Sequence, residues 1–374
     1  MEACLPERVL PPHLPARPSG RAMILALGKA AMPMARTVEM QWRGPLSGLA
    51  VAPHGSRGGL QRVETMTAAH PVPDESSVAA AERLLALAQG AGRDDLILFL
   101  LSGGASSLAC LPGEGLNLAE KQSLTRALLR SGASVGEINC VRRHLSRFKG
   151  GRLALAAPPA RLVTLAISDV VGDRPEAIGS GPTAADPSSL TEAREVLQRY
   201  GLEAPECGWS ETPLQVPGTW RLVADGGTAL DAAAAKARQL GYKVRRLECE
   251  GEAREVGRDH AALALQAEPG TALISGGELT VTVRGTGRGG PNQEYALAAA
   301  LALDRCDGIS GLAADTDGID GASEAAGAFF GCGAPGGEAA LAANDSGTWF
   351  AARGDLFVTG PTGTNVSDLR IILT

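Results

Sequence analysis

Five glycine-rich segments, each directly after a short apolar run, carry most of the residues that could do chemistry in this chain. They lie at 28–31, 102–107, 168–183, 285–290 and 359–365. Backbone N–H groups of glycine and serine at the start of a helix hold phosphate or carboxylate oxygens well. One such segment is usually only a turn. Five of them, carrying Ser and Thr hydroxyls, favour an anionic or phosphorylated ligand.

The basic residues near these segments have two interpretations. Lys29 follows Gly28 but lacks the upstream glycine and the following hydroxyl residue of a phosphate-binding P-loop, so that class of nucleotide site is excluded. It is either a solvated surface lysine or a neutraliser of phosphate charge. Arg142, His144 and Lys149 crowd one short helix and its end, which is typical of a solvated face or of a cationic pocket for a small anion.

The acidic residues also allow more than one function. Asp315, Asp317 and Asp320 place three carboxylates within six residues. The glutamate that would complete an EF-hand is missing, so a phosphate-linked Mg²⁺ site and a hydrogen-bonded Asp turn both remain open. Asp169 and Asp173 form a second acidic cluster, which could supply a general base, a metal ligand or a loop cap.

Gly285, Gly287 and Gly290 match the G-x-G-x-x-G spacing of dinucleotide-binding turns. However, Arg288 adds bulk and Pro291 fixes φ where the backbone should approach a pyrophosphate. The segment therefore suits a substrate or phosphate clamp at least as well.

The elements that position these segments alternate between strands and helices. The runs 22–27, 96–101 and 162–167 are apolar at almost every position, which is typical of parallel strands covered on both faces. Further strands are predicted at 49–52, 221–224, 244–249, 272–274, 279–283, 309–313 and 356–358. Asn117 with Glu120, and Ser134 with Glu137, predict capping boxes at two helix starts.

Composition narrows the class of protein. The chain has 374 residues, a net charge of −6 and 3% aromatic residues, which argue against a nucleic-acid-binding surface. Its longest apolar runs are too short to span a bilayer, so no membrane partner is expected. The seven cysteines include no C-x-x-C pair, which favours scattered reduced thiols and a cytoplasmic location. Prolines and glycines at 204–219 predict a boundary between domains 1–210 and 211–374.

Taken together, the motifs resemble those of the class II glycerate kinases, whose carboxyl-terminal part is the multi-organism fragment with rich leucine. The resemblance runs from Gly28 to Thr374. It rests on GKAA at 28–31, HPVPDE at 70–75, LSGGASSL at 101–108, SGASVGEINCVRRHLSRFKGGRLA at 131–154, SDVVGD at 168–173, SGPT at 180–183, RGTGRGGPNQEYAL at 284–297, AADTDGIDG at 313–321, NDS at 344–346 and VTGPTGTNVSDLR at 358–370.

The resemblance implies an α/β fold with two domains. The first would be a Rossmann-like parallel sheet with helices on both faces, the second an α/β domain with a mixed sheet, and the active site would lie in the cleft between them. It implies a kinase that uses ATP and Mg²⁺ to phosphorylate the 2-hydroxyl of D-glycerate, giving 2-phosphoglycerate. A homo-oligomer is compatible with this expectation.

The resemblance also implies roles for individual residues. The catalytic residues would be Lys29, Asp169 and Arg288, and the metal ligands Asp315 and Asp317. Substrate or phosphate would be bound by Ser102, Gly103, Gly104, Ser106, Arg142, His144, Lys149, Asn292, Glu294, Thr362, Thr364 and Asn365. The family most often has arginine before Asn-Gln-Glu, where this chain has Pro291, and Arg288 is the residue expected to replace it.

Two other functions are compatible with the residues. One is an NAD(P)H-dependent hydroxypyruvate reductase, a name that similar proteins have carried. The other is a regulator that binds a small acid without turnover. The kinase is favoured because Lys29 and the acidic segment at 315–320 have no role in hydride transfer.

Overall fold

The computed structural model describes residues 1–56, 58–304 and 306–374, which divide into two compact units. We call Pro6–Val223 the amino-terminal unit, and Met1–Leu5 with Ala224–Thr374 the carboxyl-terminal unit. The division therefore falls after residue 223 rather than after 210. The reason is that the strand Thr219–Ala224 joins the first sheet.

Six strands of the described chain form the first sheet. They are β1 (Ala22–Leu27), β2 (Leu46–Pro53), β3 (Glu64–Ala68), β4 (Leu96–Leu101), β5 (Arg161–Ile167) and β6 (Thr219–Ala224). Their order is β3-β2-β1-β4-β5-β6, and β1 to β5 pair in parallel. This is the strand order of dinucleotide-binding Rossmann folds, so the predicted Rossmann-like sheet is confirmed.

The centre of this sheet is buried because its strands are apolar at every position. β1 and β4 are buried along their full length, as predicted for strands covered on both faces. Leu25 pairs with Leu49 on one side and with Phe99 on the other. The result is a rigid platform whose strand ends carry the polar loops.

The described residues of this unit form eight α-helices, and two of these begin at capping boxes predicted from the sequence. They are α1 (Pro6–Val9), α2 (Ala31–Gln41), α3 (Glu75–Gln89), α4 (Ala105–Leu108), α5 (Leu118–Arg130), α6 (Val135–His144), α7 (Arg152–Ala156) and α8 (Leu190–Arg199). Both predicted capping boxes are present at α5 and α6. Each satisfies two backbone N–H groups around the first turn of its helix.

The carboxyl-terminal unit is built on a mixed sheet, as predicted. Its strands are β7 (Lys243–Arg246), β8 (Thr271–Gly276), β9 (Ser310–Asp315), β10 (Gly327–Gly331), β11 (Leu356–Phe357) and β12 (Asp368–Leu373), in the order β11-β10-β9-β12-β8-β7. β7 and β8 are parallel, whereas the other four pairings are antiparallel. The strand predicted at 279–283 is wrong, because only a single bridge at Thr280 forms there.

The core of this unit lies around one buried helix. The helices are α9 (Gly226–Gln239), α10 (Ala253–Leu265), α11 (Pro291–Ala302), α12 (Gly337–Ala342) and α13 (Ser346–Arg353). A Cβ atom on Gly257 would lie 2.4 Å from the carbonyl oxygen of Tyr295, so glycine allows α10 and α11 to pack closely. α11 thereby holds the segment before it at a fixed place.

Candidate active site

In the amino-terminal unit, the loops after β1 and β4 meet at the point where the strand order reverses. The N–H of Lys29 donates to the carbonyl oxygen of Gly103 at 2.8 Å, and the N–H of Ala30 donates to Ser102 Oγ at 3.0 Å. Ligands of open α/β sheets bind at this switch point. The structure thus brings Lys29, Ser102 and Gly103 together where a ligand is expected.

Gly104 makes room for two side chains at the same place. Its φ is +79°, and a Cβ atom there would lie 3.0 Å from the ring of His70 and 3.2 Å from Cγ of Lys29. His70 begins the HPVPDE motif at 70–75 and is not one of the site residues predicted from the sequence. It therefore joins the candidate site.

Ser106 belongs to a chain of side-chain hydrogen bonds. Its hydroxyl lies 2.9 Å from that of Ser180, which donates to Asn139 Oδ1 at 3.1 Å. Ser180 has a φ of +61°, between Gly179 and Gly181 with φ near +60°. Backbone strain of this kind is typical of functional loops.

Lys149 lies beneath this loop and is only 2% exposed. Its ammonium group donates to the carbonyl oxygens of Ser106 at 2.5 Å and Ala109 at 2.8 Å. Burial lowers the pKa of Lys149 to about 7. These contacts favour a role for Lys149 in holding the loop in place, rather than the predicted role in binding substrate.

The other basic residues of α6 divide into buried and half-buried side chains. His144 is fully buried, with Nδ1 3.0 Å from the carbonyl oxygen of Cys140 and Nε2 3.3 Å from Thr212 Oγ1. Both nitrogens thus have protein partners, which favours a structural role. Arg142 is half-buried, and burial lowers the pKa of its guanidinium. Arg142 is the residue of this helix that remains suited to an anion.

Asp169 follows β5, which neighbours β4 in the sheet. It is half-buried, and the N–H of Val170 next to it donates to Ser168 Oγ at 3.1 Å. The loops after β1, β4 and β5 therefore lie side by side along one edge. This places Asp169 at the same edge as Lys29 and Ser102.

In the carboxyl-terminal unit, the glycine-rich segment before α11 is packed against the turn before α13. Asn344 Oδ1 accepts the N–H groups of Arg284 at 2.7 Å and Gly285 at 2.9 Å. Asp345 Oδ1 accepts the N–H of Arg288 at 2.8 Å, and a Cβ atom on Gly287 would lie 2.4 Å from Asp345. Close packing against Asp345 therefore explains why residue 287 is glycine. The side chain of Arg288, in contrast, is exposed.

The first turn of α11 is held by buried carboxylates. Asp320 accepts the N–H groups of Asn292 at 3.0 Å and Gln293 at 2.8 Å, and burial raises its pKa to about 7. The amide of Asn292 donates to Asp368 Oδ1 at 2.8 Å. Among the described residues, Asn292 Oδ1 and both polar atoms of the Gln293 side chain are buried without a hydrogen-bond partner.

Glu294 has partners inside the unit. Its carboxylate pairs with Arg254 at 2.7 Å and accepts the amide N–H of Asn344 at 2.9 Å. It is 2% exposed. These contacts favour a structural role for Glu294, which links α10 and α11 to the turn that holds the glycine-rich segment.

The acidic segment after β9 and the last glycine-rich loop form one polar assembly. Asp315 Oδ1 accepts the N–H of Asp317 at 2.8 Å, and the N–H of Thr362 donates to the carbonyl oxygen of Asp317 at 3.1 Å. Thr364 is buried and donates to the carbonyl oxygen of Cys4, and buried Asn365 accepts the N–H of Ser367 at 3.2 Å. Thr364 and Asn365 thus shape this loop from within.

Comparison with known proteins assigns the chain to a family. Residues 1–207 match a domain of unknown function (DUF4147), and residues 271–368 match the MOFRL family. A Thermotoga maritima protein named D-glycerate 2-kinase is 41% identical, over 99% of this chain and 95% of its own length. The chain belongs to the glycerate kinase family. A solved structure of a Thermotoga maritima glycerate kinase covers all of this chain and 96% of its own, with 40% identity and a TM-score of 0.91.

Glycerate kinase is not the sole name among the relatives. An Agrobacterium vitis protein that carries a provisional hydroxypyruvate reductase name is 47% identical, over 96% of this chain and 89% of its own length.

In this member of the glycerate kinase family, none of the helices in the described residues is long and apolar enough to cross a membrane. Nor do those residues contain a cluster of three or more His, Cys, Asp or Glu side chains that could hold a metal ion.

Pro291 occupies the position before Asn-Gln-Glu, at which the resemblance to the glycerate kinases predicts arginine. It stands in the first turn of α11, after Gly290 in extended conformation. Proline is favoured there, because the first helical N–H has no partner within the helix. Pro291 therefore suits the first position of α11. The catalytic role expected for Arg288 remains a prediction.

Proposed function

We propose that this chain is a glycerate 2-kinase, which transfers the γ-phosphate of ATP to the 2-hydroxyl of D-glycerate. The observation that carries the proposal is its 41% identity to a D-glycerate 2-kinase along 99% of the chain. The grouping of Lys29, Ser102 and Gly103 at the switch point supports it, because anionic ligands bind at such an edge.

The proposed roles follow from charge and position. Lys29 would neutralise negative charge on the transferred phosphoryl group, and the loop from Ser102 to Ser106 would offer N–H donors to anionic oxygens. Half-buried Arg142 would bind the carboxylate of glycerate. Asp169 would orient the 2-hydroxyl and accept its proton as the oxygen attacks the γ-phosphorus and the bond to ADP breaks.

Mg²⁺ would be held by Asp315 and Asp317. Carboxylate oxygens are ligands that Mg²⁺ prefers, and this ion is commonly bound by one or two carboxylates together with substrate phosphates. Two acidic side chains on one short turn fit that pattern, although they would not hold the ion alone. The ion would neutralise phosphate charge during transfer.

The second candidate function is the reduction of hydroxypyruvate, favoured by the provisional name of the 47% identical relative. The dinucleotide spacing at 285–290 gives it little support. The strand expected before that segment is absent, and a Cβ atom on Gly290 would lie 2.4 Å from Asp320. These glycines are explained by close packing within the unit, so the kinase is the function we propose.

Two coupled assays on the purified chain test the proposal. One measures ADP release from Mg-ATP and D-glycerate, and the other adds enolase without a mutase, because enolase consumes 2-phosphoglycerate and not the 3-phospho isomer. We expect a signal in both. ADP release without an enolase signal would contradict phosphorylation at the 2-hydroxyl, and NADPH oxidation by hydroxypyruvate without ADP release would overturn the kinase.

A pair of lysine variants tests the site. Lys29→Gln should abolish most of the activity, whereas Lys243→Gln should leave it unchanged, since Lys243 lies at the surface in a pair with Glu268. The cleft between the domains, the cytoplasmic location and the homo-oligomer remain predictions.

A further inference from the structure

Two cysteines that lie 26 residues apart in the sequence meet in the carboxyl-terminal unit. The Sγ atoms of Cys306 and Cys332 are 3.0 Å apart, and both residues are half-buried free thiols. The sulfur atoms of a disulfide are about 2.05 Å apart. An approach of about 1 Å would therefore join the two side chains.

The surrounding structure keeps the two sulfur atoms together. Cys306 comes just after α11, and its thiol lies 2.9 Å from the carbonyl oxygen of Leu303. Cys332 directly follows β10, and its sulfur lies 3.7 Å from the carbonyl oxygen of Ile309, the residue before β9. The contact thus joins the segment after α11 to the end of β10.

We infer that Cys306 and Cys332 are a site of reversible intramolecular disulfide formation. The co-reactant would be a small-molecule disulfide. One thiolate attacks it, releasing one small thiol and forming a mixed disulfide, and the second thiolate then displaces the other small thiol. The protein loses two protons and two electrons, and the small disulfide is reduced to two thiols.

The environment of the pair makes this reaction slow. Burial and the neighbouring Cys332 thiol raise the pKa of Cys306 to about 11, and the thiolate is the form that attacks. The reduced pair should therefore persist under brief exposure to oxidant. This agrees with the reduced thiols expected from the sequence, while giving two of the seven a specific chemistry.

The position of the pair indicates what the disulfide would do. α11 is 12 residues long, so Cys306 lies about 18 Å or more from the Pro291 end of the helix. Closing the loop from 306 to 332 would restrict the unfolded chain and stabilise the folded unit. The disulfide should therefore raise stability without altering the first turn of α11.

The test uses the full chain with Cys207→Ser, which removes an exposed thiol and leaves six of the seven cysteines. After prolonged incubation with oxidised glutathione, we expect thiol titration of the denatured protein to show a loss of two thiols. Peptide mapping should show one cross-link between Cys306 and Cys332, which dithiothreitol reverses. The midpoint of thermal unfolding should rise by roughly 5 °C.

Two further variants give the control. In one variant Cys207→Ser is combined with Cys306→Ser, and in the other with Cys332→Ser. Under the same oxidant neither variant should lose two thiols, and the midpoint of thermal unfolding of each should stay at the value of its reduced form. The inference is overturned if all six thiols of the first variant survive. A glutathione adduct on Cys306 or Cys332 without a cross-link would also overturn it.

Discussion

The ammonium nitrogen of Lys149 lies 2.8 Å from the carbonyl oxygen of Ala109, forty residues earlier in the chain. It also donates to the carbonyl oxygen of Ser106, inside α4. Lys149 therefore holds in place the segment that begins at Ser102, directly after β4. We propose that Lys149 positions this loop, so that its neighbours rather than its own side chain meet the ligand.

Lys149→Met should destabilise the protein. Methionine keeps most of the apolar stem but leaves two buried carbonyl oxygens without a donor, which should lower the free energy of unfolding by about 2–4 kcal/mol. Urea denaturation at pH 7 measures this. Lys236→Met, at an exposed position of α9, is the control and should match the wild type. Equal stability of both variants would contradict the positioning role.

The same variant should change how stability depends on pH. The pKa of Lys149 is about 7 in the folded protein and 10.5 in the unfolded chain. Between these values the unfolded state binds a proton that the folded state releases, so this group stabilises the fold increasingly as pH rises. The difference in unfolding free energy, wild type minus Lys149→Met, should grow from pH 7 to pH 10.

Asp320 should have the opposite pH dependence. Its pKa is raised from 3.8 to about 7, chiefly because burial disfavours its charged form. Between pH 4 and pH 7 the folded state holds a proton that the unfolded state has lost, so stability from this group falls as pH rises. Asp320→Asn cannot titrate. The wild-type advantage over it in urea denaturation should shrink from pH 4 to pH 7.5, and a constant difference would contradict the assignment.

Much of the first sheet could be predicted because burial and apolar sequence coincide there, as in β1 and β4. β12 could not be predicted from the same signal. Its buried positions alternate with half-buried ones and include Asp368 and Arg370, which form an ion pair at 2.5 Å. A strand whose buried face carries charge does not show the apolar pattern on which the prediction relies.

The sequence predicted where the candidate site residues lie better than it predicted what each residue does. The glycine and serine segments after β1 and β4 indicated the edge of the sheet where Lys29 and Ser102 meet. The partner of Glu294, however, is Arg254 on another helix, forty residues away. Sequence spacing cannot show such a contact, because it depends on how α10 and α11 pack.

Asp317→Asn should lower the affinity of the proposed kinase for Mg²⁺. Loss of one carboxylate should raise the Mg²⁺ concentration for half-maximal activity by roughly tenfold or more. Titration of Mg²⁺ at fixed ATP in the ADP-release assay measures this. Asp231→Asn, at an exposed position of α9, serves as the control and should keep the wild-type value. An unchanged value for Asp317→Asn would remove Asp317 from the metal site.

Gly104 and Gly132 allow the role of crowding at the switch point to be separated from backbone strain. Both have φ of +79°, so alanine at either position should cost about 1 kcal/mol of stability. A Cβ atom on Gly132 would meet open space, whereas one on Gly104 would press on His70 and Lys29. Both variants should lose similar stability in urea denaturation. Gly104→Ala alone should lower kcat/KM for glycerate phosphorylation, on the order of 10–100-fold, because Lys29 is displaced. Equal activity of the two variants would show that the space around Lys29 is not needed for catalysis.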